Sequence, residues 1–188
     1  MAILEPQTVK ARGGMDVIVR SAAPGDAVEM LAVRRNVALT SEEVLTQADE
    51  LPTDPAEQLG YIEKAADADG DLLLIALVGG RIVGTLGIKS GDRRRSSHTA
   101  ELGISVVDGW RGRGVGSALF GAAMAWAAAH DKIEKVCLSV FPTNGPGLAL
   151  YRKFGFVEEG RRPRHGRHDD GRYVDLILMA RWVKGHPA

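Results

Sequence analysis

Residues 98–130 hold the feature that most constrains the fold. His98 to Val107 alternates as a strand does and enters the turn Asp108-Gly109-Trp110-Arg111-Gly112-Arg113-Gly114-Val115-Gly116. A helix starts inside that turn and runs to about His130. Val115, Leu119, Ala122 and Trp126 form a stripe along it, and alanine, the strongest helix former, fills the other faces. Val136 to Phe141 is strand-like again. Strand, helix and strand in this order predict a parallel pair joined by a right-handed crossover, so the chain folds as a layered α/β structure.

The flanking segments predict hairpins around that unit. Val17 to Arg20 reads as a strand, followed by a turn over Ser21 to Asp26. Ala27 to Leu39 carries Val28, Leu31, Val33 and Val37 at helical spacing, and a second helix starts near Pro55 with Leu59, Ile62 and Ala66 on one face. Leu72 to Val78 and Arg81 to Ile88, separated by Gly79-Gly80, predict a tight β-hairpin. Pro146 to Lys153 reads as a short helix, and Phe156 to Glu159 and Tyr173 to Trp182 as final strands. The sum is β-α-α-β-β-β-α-β-α-β-β, a mixed α/β sheet. Residues 1 to about 15 read as a flexible lead-in, and 16–184 as a single domain.

Composition removes several function classes. Lys+Arg 24 offsets Asp+Glu 24, whereas a dedicated nucleic-acid binder carries a basic excess. The lone Cys137 excludes a disulfide framework and a cysteine-built zinc site, which points to a reducing compartment. The apolar runs Leu72 to Val78 and Ala118 to Ala129 fall short of the roughly 20 residues of a membrane span. No apolar core of a secretory signal is visible in the first residues, so the expectation is a cytoplasmic protein with neither membrane nor nucleic-acid partner.

The glycine-arginine turn is an anion cradle by its chemistry. Its glycines let successive N–H groups converge on one spot, and the helix start adds the positive end of its dipole. A diphosphate is the natural guest. No Gly-Lys-Ser/Thr is present, which excludes a P-loop, and the glycine spacing and position do not suit a dinucleotide-binding loop. The plain alternative is a helix start with incidental glycines.

Arg111-x-x-Gly114-x-Gly116 resembles the acyl-CoA pyrophosphate motif of the GNAT superfamily of N-acetyltransferases. A second segment, Asn144-Gly145-Pro146-Gly147-Leu148-Ala149-Leu150-Tyr151-Arg152-Lys153-Phe154-Gly155-Phe156, is similar to that superfamily's Asn-x-x-Ala/Gly-x-x-Leu-Tyr-x-x-x-Gly-Phe. Gly171 to Arg181 looks, more weakly, like the last strand of the branch acting on amino acids and small amines. The resemblance implies a mostly antiparallel, twisted sheet whose central parallel pair is splayed for acyl-CoA. It implies acetyl-CoA as cosubstrate, no metal, and direct attack by a primary amine of a small molecule or amino acid in a ternary complex. A protein N-terminal or lysine acetyltransferase is the nearest rival, and a non-catalytic acyl-CoA-binding regulatory module is the rival from another class. Relatives often pair through their last strands, so a homodimer through Ile177 and Trp182 is expected.

The same resemblance assigns site residues. Backbone groups of Ile104, Ser105 and Val106 would run along the pantetheine arm, and the Val106 N–H would stabilise the thioester oxygen, a contribution of ~3–4 kcal/mol when such a donor is preorganised. Arg111 and the N–H groups of Gly112, Arg113, Gly114, Val115, Gly116 and Ser117 would hold the pyrophosphate. Asn144 would hold pantetheine or cap the helix that follows. Tyr151 is the candidate proton donor to the leaving thiolate, since a phenol of pKa about 10 is a workable acid for a thiol of about 8.5; its alternative is packing under the cofactor. Glu101, facing as Gly103 and Ser105 do, is the candidate base, directly or through water, or else a surface carboxylate. Relatives that place a base five residues before the motif asparagine have no counterpart here, where Ser139 stands. Cys137 reads as structural, and His165-Gly166-Arg167-His168-Asp169-Asp170 as a solvated loop or substrate rim rather than a metal site.

Overall fold

The computed structural model describes residues 3–185. Its strands are β1 (Gln7–Lys10), β2 (Asp16–Ser21), β3 (Leu72–Val78), β4 (Arg81–Ser90), β5 (Thr99–Val106), β6 (Lys135–Val140), β7 (Val157–Arg167) and β8 (Tyr173–Trp182). The helices are α1 (Ala27–Thr40), α2 (Pro55–Asp67), α3 (Val115–Ala129) and α4 (Gly145–Lys153). All strands join one sheet in the order β1-β2-β3-β4-β5-β6-β8-β7, antiparallel except for the β5–β6 pair. The order expected from residue 17 onward is the order found.

The hydrophobic pattern explains the layering. Leu72 to Ala76 of β3 are all buried because the sheet is covered on both faces. One face packs on α3 through Val115, Leu119, Phe120 and Ala123, and the other packs on α1 and α2 through Met30, Val33 and Ile62. Gly79 and Gly80 adopt φ of 57° and 80°, the left-handed pair that closes a two-residue hairpin with the twist of its strands.

Four details differ from the sequence expectation. Residues 7–10, read as part of a lead-in, form an edge strand paired with β2 along Gln7–Val19 to Lys10–Asp16. Val28 is 65% exposed, because α1 turns Ala27, Met30, Val33 and Val37 inward and Val28 lies off that stripe. Strand β7 continues to Arg167, so most of the expected 160–172 loop is strand. It lies at the sheet edge with an irregularity between Arg162 and Gly166, where Arg164 has φ 51°. An exposed edge needs no apolar alternation, which is why residues 160–167 carry none. Finally, β8 lies between β6 and β7 with Ile177 buried, so the edge on that side belongs to β7.

The β5–β6 pair positions the site. Its parallel pairing spans only Thr99–Lys135, Ala100–Val136 and Glu101–Cys137. Beyond that point β5 stays bonded to β4 and β6 to β8, and the two strands part.

Candidate active site

A cavity of about 1390 Å³ fills the opening between β5 and β6 and continues under α1 and α2. That exceeds the ~300–1,000 Å³ typical of a single small-ligand pocket, so two reactants fit side by side. Val107 N–H donates to Val83 (3.0 Å) and Gly91 N–H to Thr99 (3.0 Å), which places odd-numbered β5 residues in the bonds with β4. By antiparallel alternation the even-numbered residues turn their N–H and C=O groups the other way. At Ala100 that direction meets β6; at Ile104 and Val106 it meets the cavity. The Val106 carbonyl accepts from Arg111 Nε at 3.1 Å, leaving the two N–H groups facing the gap.

The turn after β5 is shaped by its glycines. Gly114 sits at φ 97° as the N-cap of α3, and a Cβ there would lie 3.0 Å from the Ala11 Cβ and the Arg12 nitrogen. No side chain caps α3, and its first backbone bond runs from Ala118 N–H to Gly114. The N–H groups of Val115, Gly116 and Ser117 are therefore without helical partners. Arg12, from the segment after β1, lines this end of the cavity, and its N–H donates to the Arg113 carbonyl at 3.1 Å. Lys153 Nζ donates to Ser117 Oγ at 3.3 Å from α4.

Of the residues expected to meet the cofactor, all but Arg113 and Val115 line the cavity. The Arg113 guanidinium stacks over Trp110 at 5.3 Å, and the Val115 side chain is fully buried. Arg111 lines the cavity but is turned back onto Val106, Thr40 Oγ1 (3.1 Å) and Asp108 (3.7 Å). Asn144 Oδ1 accepts from Gly147 N–H at 2.8 Å and so caps α4; a Cβ at Gly147 would lie 2.7 Å from that oxygen.

Tyr151 is 8% exposed, with its ring centroid 5.5 Å from Phe120 and 6.4 Å from Phe156. Burial pushes its phenol up to about 12. Glu101 is exposed, lines the cavity on the face shared with Gly103 and Ser105, and lies opposite Lys89 in register. Cys137 sits beside it at the last paired position of β6. Burial first, then the Glu101 and Glu159 carboxylates against the opposing Lys135, pushes that thiol to about 11, which keeps it protonated and unreactive. Ser139 lines the cavity two residues further along β6.

The structure adds cavity residues that motif reading missed: Arg12, Arg34, Glu43, Gln58, Tyr61 and Lys153. A signal existed for two of them. Arg34 is four residues after Met30 and three before Val37, on the inward stripe of α1, and Gln58 is four before Ile62 on that of α2. Polar residues on inward stripes are the exceptions worth reading.

A gap one strand wide, edged by free backbone donors and ending at a helix N-terminus, takes an amide-bearing arm as a sheet takes a strand, with a phosphate at its far end. That arrangement defines an acyl-CoA-dependent acyltransferase. The chain belongs to the Acetyltransferase (GNAT) family, whose pattern matches residues 38–156. It is 37% identical over 119 residues to the L-amino acid N-acetyltransferase AaaT of Escherichia coli K12, covering 63% of this chain and 73% of that one. A GNAT-family acetyltransferase from Streptococcus pneumoniae superposes with TM-score 0.85 at 30% identity, over 88% of this chain and 99% of that one. A phosphinothricin acetyltransferase from Sinorhizobium meliloti, solved in complex with AcCoA, shares the fold with TM-score 0.78 at 22% identity, over 93% and 89%. The protein is an acetyl-CoA-dependent acetyltransferase, and its uncapped α3 and open Gly112, where a Cβ would meet nothing within 4 Å, suit that cosubstrate.

Proposed function

We propose that the chain acetylates the primary amine of a small molecule or amino acid by direct attack in a ternary complex. The observation that carries this reading is the opening between β5 and β6, which joins the α3 cradle to a recess under α1 and α2. The E. coli relative's named activity on L-amino acids supports a small acceptor.

Bound acetyl-CoA supplies the acetyl thioester. The N–H groups of Val115 to Ser117, with Lys153 and Arg12 beside them, hold the diphosphate end. Ile104 and Val106 N–H groups hold the arm, and one of them faces the thioester oxygen. Glu101 lies five residues before Val106, about 16 Å along a strand, but only three before Ile104, about 10 Å. A side chain plus one water spans the shorter distance, so Ile104 is the better oxyanion donor if Glu101 takes the amine's proton. Tyr151 Oη donates to the departing sulfur. Its raised pKa keeps the hydroxyl protonated at every working pH, so it stabilises the departing thiolate as a hydrogen-bond donor, and the thiolate, too weak a base to take the phenol's proton outright, is protonated from solvent. Asn144 holds the start of α4 and through it Tyr151.

The proposal extends to a cytoplasmic setting, supported by the lone thiol; among the described residues no helix is long and apolar enough to cross a membrane. A homodimer would use a sheet face or the β7 edge, since β8 is interior. The test is an acetyl-CoA consumption screen, read as thiol release, over amino acids, polyamines, aminoglycosides and peptides. Turnover of small amines is expected. Turnover of peptides alone would make the chain a protein acetyltransferase, and tight acetyl-CoA binding without turnover would make it a regulatory module.

A further inference from the structure

We propose that Arg34, oriented by Gln58, docks the carboxylate of the acceptor, so the acceptor is an amine that carries an acid group within a few bonds of its nitrogen. The inference rests on the acetyl-transfer reading above and names the residues that would select the substrate.

Arg34 is half-buried on the inward side of α1 and lines the recess. Its Nη1 donates to Gln58 Oε1 at 2.9 Å, and among the described residues no carboxylate lies within ion-pair distance of it. Glu43 is engaged by Thr143, and Glu57, which also lines the cavity, makes no ion pair with Arg34. Gln58 is 1% exposed, and its Nε2 is the one buried side-chain nitrogen or oxygen among the described residues that has no hydrogen-bond partner. Burying an unmatched amide is unfavourable, and a leucine or methionine would fill that place on α2 without the penalty. What the amide does with its other end explains its presence. A neutral oxygen fixes the guanidinium without cancelling its charge, whereas a glutamate there would neutralise it. Arg34 is thus a held, uncompensated cation with donors free for the bidentate recognition that carboxylates favour.

The surroundings complete a site for a short bifunctional molecule. Gly87 and Gly103 face each other across β4 and β5; Tyr61 and Leu73 cover Gly87, and Gly103, where a Cβ would meet nothing within 4 Å, leaves open floor. Tyr61 Oη stands over that floor, 3.3 Å from where a Gly87 Cβ would be, and is close enough to Arg34 to feel its charge. The next pair on the same face is Lys89–Glu101, at the point where β5 and β6 part. An acceptor lying over Gly103, beside Tyr61, would have its acid toward Arg34 and its amine toward Glu101 and the thioester gap.

The test compares each standard L-amino acid with its own carboxamide, by steady-state kinetics and by calorimetric titration into the CoA-bound protein. In the unmodified protein the best amino acid should exceed its carboxamide about 100-fold in kcat/KM, mostly through KM. Arg34→Met should bring that ratio close to 1, and Arg34→Lys should restore only part of it. Gln58→Met should lower the ratio about tenfold through KM while the melting temperature holds or rises, because it removes the orphan donor; a merely structural glutamine would lower melting temperature and leave the ratio alone. Acetyl-CoA affinity serves as the folding control for each variant. If both acceptors are acetylated equally, or the ratio survives Arg34→Met, the carboxylate site is wrong and acetyl transfer stands. If neither series is acetylated but other amines in the acceptor screen are, the carboxylate site is wrong and acetyl transfer stands; if no amine in that screen is acetylated although acetyl-CoA binds, the transfer reading falls and this proposal with it.

Discussion

At the α3 end of the cleft the free inward-facing groups are the backbone N–H groups of Ile104, Val106 and Val115 to Ser117, whereas under α1 and α2 they are the side chains of Arg34, Gln58, Tyr61 and Glu101 on α1, α2 and β5. The backbone end depends on conformation, on Gly114 at φ 97° and on an α3 start that nothing caps. The side-chain end depends on which residues the inward stripes of two helices carry. In the proposed reading a shared cosubstrate meets the first construction, which tolerates many side chains, and an individual acceptor the second, which does not.

Substitutions at the two ends should therefore fail differently. The largest effect is expected where a side chain meets the bond being broken. Tyr151→Phe keeps the ring between Phe120 and Phe156 and should lower kcat by about 10²–10⁴-fold, with acetyl-CoA affinity little changed. Because burial raises the phenol to about 12, the unmodified enzyme should show no falling alkaline limb from this group between pH 7 and 10. A limb near pH 10 that vanishes in the phenylalanine variant would contradict that environment. Gly114→Asp attacks the backbone end instead. The left-handed conformation costs about 1–2 kcal/mol for a residue with a Cβ, the new side chain meets Ala11 and Arg12, and its charge opposes a phosphate. Calorimetry should show acetyl-CoA binding weakened on the order of 100-fold, a difference of about 2.8 kcal/mol. Unchanged affinity would remove the cradle from the account.

Smaller effects sharpen the comparison. Glu101→Gln should lower the rate about 10–100-fold near pH 7, within the range of a lost base, and recover toward pH 9.5, where the amine loses its proton in solution. A deficit equal at all pH values would mean that the carboxylate positions the acceptor rather than deprotonating it. Asn144→Ala should cost about 1 kcal/mol as a lost helix cap, or roughly 2–4 °C in Tm for a chain of this size. Acetyl-CoA affinity should stay near the original value, and a large loss would restore Asn144 as a cofactor ligand.

The unequal legibility of the two ends has the same origin. Residues 104–117 and 144–156 are contiguous, and their turns require glycine, so both the local fold and the site could be read there. The Gly79-Gly80 hairpin and the crossover through α3 were legible for that reason too. The acceptor end assembles from residues that meet only after α1 and α2 fold over the sheet, and no spacing rule joins Arg34 to Gln58 or Tyr61 to Gly87. Apolar periodicity misled at Val28, which lies off α1's inward stripe, and it passed over Arg34, which lies on it. It was silent at β1 and the end of β7, because edge strands carry polar residues on both sides.

The short strand β1 has a practical consequence. Residues 11 and 12 pack against Gly114 and Arg113, so a segment outside the family's matched region forms one wall beside the start of α3. Anyone trimming the chain to residue 16, where hydropathy suggests the domain starts, would cut away that wall and uncover the start of α3. An affinity tag fused ahead of residue 7 would instead leave from the opposite end of β1, beside Ser21, where Leu4 and Ser21 are hydrogen-bonded. Cofactor titrations on such a shortened protein would then report on the missing wall as much as on the enzyme, whereas a tag ahead of residue 7 leaves residues 11 and 12 in place.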